Sequence, residues 1–342
     1  MFKGKLVKVL PVFCAIASAA HAADYAVAEK WALGGDGGWD YPSVDPDAHL
    51  LYLSRATHVA IVDTRTGKIV GDIADTPGVH GIALAPDLGR GFISAGKTNQ
   101  IKVFDLQTRQ VLASIEVGSK PDAIVYEPQT HRVVALNGHS DSASIIDPTD
   151  NRVVKTIALG GGPEFARADG AGHVYVNLED KNQLASIDMA SLQVSARWAL
   201  PGCDEPSGLA LDAAHQRSIS VCTNAALVVL DTASGKHIAT LPIGHGVDGV
   251  EFDPSSQNAF SANGDGTLTV VHEADPDHFA VVQTLGTAQG ARTIALDPQT
   301  HRLYLPTASF GPVKAGLLDP HPKPPILTDT FVVLVIAPAV TN

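Results

Sequence analysis

Short runs of apolar residues recur along the chain and are separated by clusters of Asp, Pro, Thr and Gly. The pattern is clearest in Ile294-Ala295-Leu296-Asp297-Pro298-Gln299-Thr300-His301-Arg302-Leu303-Tyr304-Leu305. It returns as Ile82-Ala83-Leu84-Ala85-Pro86 and as Val250-Glu251-Phe252-Asp253-Pro254. Marking each copy by its proline or the equivalent residue gives Pro46, Pro86, Pro128, Gly170, Ala213, Pro254 and Pro298, with spacings of 40, 42, 42, 43, 41 and 44. A period in the low forties built from short β-rich runs and tight turns points to propeller blades. A helical repeat would show a 3.6-residue period over ten or more residues.

Four strands are predicted in each unit. In the fifth they are Gly208 to Leu211, Arg217 to Val221, Ala226 to Leu230 and His237 to Ile243, here lettered a to d. Segments such as Asp63-Thr64-Arg65-Thr66-Gly67-Lys68 and Asp231-Thr232-Ala233-Ser234-Gly235-Lys236 predict tight c-to-d turns, because Asp bonds its own backbone and Gly accepts positive φ. The last unit supplies a, b and, after a long gap, Phe331 to Ile336 as c, but no d. Tyr25 to Leu33, followed by Gly34-Gly35, resembles the d strand Val153 to Leu159 followed by Gly160-Gly161. The N-terminal strand is therefore expected to complete the seventh blade, which removes open sheet edges. The expected fold is all-β: a seven-bladed propeller of four-stranded antiparallel blades, one domain over residues 23–342.

The run from Ile101 to Pro121, IKVFDLQTRQVLASIEVGSKP, resembles the YVTN repeat of the YncE-like seven-bladed propellers, which are exported bacterial proteins. The resemblance covers nearly the whole chain after the leader, and it implies an exported propeller that binds or interacts with other molecules. Related propellers include lactonases and amine dehydrogenase subunits. No catalytic motif of either occurs here, so no catalytic residue is carried over.

Export is also read from the residues. Lys3, Lys5 and Lys8 precede an apolar run from Val9 to Ala20 that ends in Ala20-His21-Ala22, the small-x-small pattern of a signal peptidase site. Residues 1–22 are expected to be a cleaved signal peptide, and the protein to be periplasmic or secreted. The run is too short for a membrane span and is broken by Pro11, and Phe331 to Val340 is shorter still. A soluble monomer is expected. The formal charge of −12 becomes −15 once the leader is gone, which sets the chain against phosphate and argues against a nucleic-acid partner.

Cleavage would leave two cysteines in a compartment where disulfides persist. Cys203 lies in the enlarged connection into blade 5 and Cys222 at the end of that blade's b strand, so a Cys203–Cys222 disulfide is expected.

In an antiparallel blade the d-to-a connections and b-to-c loops share one face, the top, and the a-to-b and c-to-d turns share the other. Six residues before each marker stand Asp40, His80, Asp122, Glu164, Ser207, Asp248 and Arg292, at the start of strand a beside the central channel. A ring of carboxylates with one His and one Arg suits a divalent cation, a polyhydroxylated molecule or an amine. The ligand-binding candidates are Asp40, His80, Asp122, Glu164, Asp248 and Arg292, with Trp39 placed beside them to stack on a ligand. Asp40, Asp122, Glu164 and Asp248 are the candidate metal ligands. No cofactor motif is present, and a divalent cation such as calcium is the one cofactor the ring suggests.

The b-to-c loops add Arg55, His58, Asn137, His139, Asn177, Glu179, Asn224, Asn263 and Asp265 to the top face. A transition-metal site from His58, His80, His139 and His245 would need four blades to converge without any ligand pair at short spacing. Asn263-Gly264-Asp265-Gly266-Thr267 lacks the distal Glu of a calcium loop and reads as a hairpin turn. Trp31 and Trp198 fall in d strands and are expected to pack between blades. No Cys-x-x-Cys-His, Gly-x-Ser-x-Gly, Gly-Lys-Ser/Thr or His-Glu-x-x-His occurs, which disfavours c-type haem, common serine hydrolases, NTPases and zincins. The reading is a binding or interaction scaffold whose top-face site takes a small polar ligand, a cation or a partner protein. The alternative is a metal-assisted hydrolase of the lactonase kind, in which a cation on the carboxylates activates water. The b-to-c connection of the last blade, Thr307 to Thr330, is long and carries five prolines. It is expected to form a flap that brings Lys314, His321 or Lys323 toward the channel mouth.

Overall fold

The computed structural model describes residues 24–313 and 324–339. Seven four-stranded antiparallel sheets form the ring, and in each the strand order runs a-b-c-d outward from the channel. Blades 1 to 6 begin at Pro42, Val79, Pro121, Pro163, Pro206 and Gly249, and blade 7 takes strand a from Ala295–Asp297 and strand b from Arg302–Thr307. The expected signal peptide, residues 1–22, lies outside the described residues.

Burial explains the strand patterns. Strand b of blade 1, Leu50–Arg55, is buried at all six positions because blades cover both of its faces, so it reads as a continuous apolar run. Strand d of blade 4, Gln193–Ala199, alternates exposed and half-buried positions because solvent covers its outer side. The c-to-d turns close as the sequence predicts. Asp63 Oδ1 accepts the Arg65 and Thr66 amides, and Asp231 Oδ1 accepts those of Ala233 and Ser234.

The ring closes through the N-terminal strand, Tyr25–Ala32, which pairs antiparallel with strand c of blade 7, Val332–Pro338. Gln283 of blade 6 reinforces this edge, accepting from the Tyr25 amide and donating to the Tyr25 carbonyl at 2.8 Å each. The core is distributed between neighbouring blades. One cluster joins Leu51 and Val62 of blade 1 to Tyr304 and Val335 of blade 7. Cys203 and Cys222 form the expected disulfide, with Cα atoms 5.4 Å apart, in the cluster between blades 4 and 5. No helix of the described residues is long and apolar enough to cross a membrane.

Candidate functional site

Each blade places one side chain at the channel mouth, His80, Asp122, Glu164 and Ser207 within the innermost strand and Asp40, Asp248 and Arg292 just before it, and hydrogen bonds between neighbouring blades hold them at one depth. Ser94 Oγ donates to the Asp122 carbonyl, Ser207 Oγ to the Val247 carbonyl and Thr293 Oγ1 to the Asp40 carbonyl. Two pairs form within the ring. His80 Nδ1 lies 2.6 Å from Asp40 Oδ2 and 3.5 Å from Asp122 Oδ1, and Arg292 Nε donates to Asp248 Oδ2 at 2.7 Å. Ser207 is buried by its bond to blade 6 and adds no charge.

The residue after each ring position decides what lies beneath. These are Tyr41, Gly81, Ala123, Phe165, Gly208, Gly249 and Thr293, so only blades 1 and 4 project a large side chain. The two rings meet across the channel, with centroids 4.6 Å apart and edge to face. The Tyr41 hydroxyl donates upward to Glu164 Oε1 at 3.3 Å. The carboxylates therefore stand on an aromatic floor, and the channel mouth is a cup. Below the floor lies a second cavity of about 280 Å³ in which Arg167 of blade 4 donates to Glu251 of blade 6 at 2.5 Å. Arg167 also bonds the Leu209 carbonyl and stacks on Phe165.

Crowding sets the electrostatics of the cup. Burial, then the charge of Asp40, pushes the Asp122 carboxyl up to about 7. Burial, then Asp122 and Asp248, pushes Glu164 up to about 9. Asp248 rises to about 6 through burial and Asp40, against the pull of Arg292. Burial lowers the proton affinity of His80, but its hydrogen bond to Asp40 and the charge of Asp122 outweigh this and raise it above the usual imidazole value. Four carboxyls of the ring, with Glu179 nearby, face Arg292, His80 and the charge of Lys120, so full ionisation leaves acid in excess. Asp40, His80 and Asp122 each offer one ligand atom within 4.8 Å of the others, close enough to share one cation.

Trp39 does not face the cup. It is buried against Phe310 and Phe331, 6.1 and 5.6 Å away between centroids, because residues 33 to 41 cross over the blade 7 edge before strand a begins. Arg55 lies over the Phe331 ring at 3.7 Å and donates to the Gly34 and Asp36 carbonyls, which fixes that crossing. Asn137, Asn177 and Asn263 are buried and bond within the blade frame. Asp265 closes its hairpin by accepting from Thr267 and the His245 amide. Among the described residues His58, His139 and His245 do not join His80, so the four-histidine site is not assembled. In the long blade 7 connection Phe310 bridges to Ile326 beside Trp39, and Lys314, His321 and Lys323 lie outside the described residues. Tyr41 was absent from the sequence expectation. The signal available was its bulk at a position where five of the seven blades carry Gly, Ala or Thr.

The ring of seven blades around a floored channel defines the class: a closed seven-bladed β-propeller with a polar cup on its top face. No family model matches the chain, and no curated protein does. Among solved structures it is similar to a chain of hydrazine synthase from Kuenenia stuttgartiensis, at 18% identity, covering 78% of this chain and 92% of that one with a TM-score of 0.69. That likeness supports the propeller fold.

Proposed function

We propose that the protein is an exported propeller scaffold, of the YncE-like kind its repeats resemble, whose top-face cup binds a compact cation, either a divalent metal ion or a small amine. The observation that carries this reading is the convergence of Asp40, Asp122, Glu164 and Asp248 from four blades onto one aromatic floor, with His80 and Arg292 as their ion-pair partners and Lys120 as a further nearby cation. An arriving cation relieves their mutual repulsion, and the Asp40–His80–Asp122 side offers three donor atoms together. The lactonase-like alternative gains no support from the arrangement or from the structural neighbour and is not carried forward. Export rests on the leader and fits the disulfide.

Thermal-shift titration of the leaderless protein with Ca²⁺, Mg²⁺, Mn²⁺, Zn²⁺, putrescine and spermidine tests the reading. At least one should raise the melting temperature in the wild type and lose that effect in Asp122→Asn with Glu164→Gln. A wild type that responds to none of the six, or a double variant that responds equally, contradicts it.

A further inference from the structure

A departure from blade-to-blade regularity within the strands lies on the opposite face, between blades 4 and 5. The fourth residue of strand c, which packs into the interface with the following blade, is Ile61, Val103, Ile145, Val229, Val270 and Val335 in six blades. In blade 4 it is Ser186. Its cross-strand neighbours are Tyr175 on strand b and Ala196 on strand d. A branched aliphatic side chain is missing where interiors are otherwise close-packed, and a groove of about 460 Å³ opens there, lined by Tyr175, Ser186 and Trp198 on one wall and by Leu211, Gln216 and Thr232 of blade 5 on the other. Ligand sites fall in the range of about 300 to 1,000 Å³.

The walls have a definite chemistry. His173, Tyr175 and Trp198 form an aromatic shelf, with centroids 6.3 and 6.5 Å apart and planes tilted by 29° and 26°. Trp198 stands where blades 1, 2, 3, 5 and 6 carry Ile or Leu, and blade 7 carries Trp31. In blade 7 the indole N–H donates to Glu29, two residues earlier, at 2.8 Å. In blade 4 that position is Ala196, so the strand offers the Trp198 N–H no such acceptor. Gly235 (φ +74°) brings the next blade's turn against the pyrrole part of the indole, where any Cβ would collide with it, and this holds the ring in place.

The polar groups at the groove are hydroxyls, an amide, an imidazole, carboxylates and one guanidinium. Ser195 Oγ bonds Ser186, Asp169 holds His173 Nδ1 at 3.2 Å, and Gln216 and Thr232 face them from blade 5. The one guanidinium at the groove, Arg217, is spent on Asp231 at 2.6 Å and on the Pro276 carbonyl at 2.7 Å, which leaves it unsuited to a phosphate or carboxylate. Flat apolar faces flanked by hydroxyl, amide and carboxylate groups, with no free cation, suit a neutral ring that is apolar on its faces and hydroxylated at its rim.

We infer that the groove between blades 4 and 5 is a binding site for a neutral sugar ring, built by Ser186 and Trp198 and separate from the cup. Titration of the leaderless protein with glucose, galactose, mannose, N-acetylglucosamine, cellobiose and maltose, followed by tryptophan fluorescence and calorimetry, is the test. At least one sugar should bind with a millimolar or tighter Kd. Ser186→Ile restores the residue type of the other blades and should weaken binding at least tenfold without lowering the melting temperature, and Trp198→Leu should weaken it and remove the fluorescence change. Cation binding at the cup should be unaffected in both variants. If none of the six sugars binds at millimolar concentration, if Ser186→Ile binds as well as wild type, or if adenosine binds in place of the sugars, the inference is overturned.

Discussion

Two layers of the same channel, three residues apart on the same inner strands, carry opposite solutions to buried charge. In the lower layer Arg167 meets Glu251 across the channel, and every other blade contributes a Ser, Ala or Val there. In the upper layer four carboxyls share His80 and Arg292. The lower charge is satisfied by the protein itself and serves the frame, fixing blade 4 to blade 6. The upper charge exceeds the ion-pair partners within the ring, and that excess is what the proposed cation site rests on.

The sharpest way to break the comparison is to unpair the lower layer. Arg167→Met strands the Glu251 carboxyl, which burial already pushes up. Loss of one partner of this half-buried pair should cost about 2 kcal/mol in chemical unfolding. Adding Glu251→Leu should recover most of it, and a single variant as stable as wild type would show that the pair is not structural.

A second variant separates the frame from both layers. Replacing Cys203 and Cys222 by Ser should lower stability by about 3 kcal/mol at every pH, because the bridge restricts the unfolded chain and carries no titrating group. Thiol counting on the denatured, unreduced protein without residues 1–22 should find none. A cost that varies with pH would tie the bridge to the cup.

The smallest effect is expected from the long blade 7 connection. Phe310 and Ile326 pack beside Trp39, so they are kept. Exchanging residues 313 to 324 for a short Gly-Ser linker should change stability by less than about 1 kcal/mol, since closing a surface loop depends weakly on its length. If that variant also keeps the cation response, the connection plays no part in the cup.

The contrast between the two layers also marks how far the sequence could be read. The repeat period sets depth along the inner strands, so Asp40, His80, Asp122, Glu164, Asp248 and Arg292 could be placed at one level from spacing alone. The missing d strand could likewise be traced to Tyr25–Ala32. The floor could not, because Tyr41 and Phe165 meet across the ring at positions more than a hundred residues apart, and nothing local records which opposite blade a side chain will touch. Trp39 misled for a related reason. It precedes strand a, outside the two-residue period that assigns faces, so its adjacency to Asp40 carried no direction. The groove at Ser186 was legible only by comparing blades position by position, since a serine within a strand carries no signal in isolation.

The account turns on the upper layer holding more acid than the protein can neutralise, and the pH dependence of stability reads this directly. Unfolded Asp and Glu titrate near about 4, while Asp248, Asp122 and Glu164 titrate at about 6, 7 and 9 in the folded protein. Groups with raised folded values stabilise fully below their unfolded value, and this stabilisation is lost as pH rises through the folded one. Melting curves of wild type and of Asp122→Asn with Glu164→Gln, recorded from pH 5 to 9 without added cations, should therefore diverge. The account predicts that the wild type loses stability relative to the double variant as pH rises, most steeply from about pH 5 to 7, where both Asp122 and Glu164 hold a proton only in the folded protein, and more gently from 7 to 9, where only Glu164 does. Parallel curves across that range would contradict it.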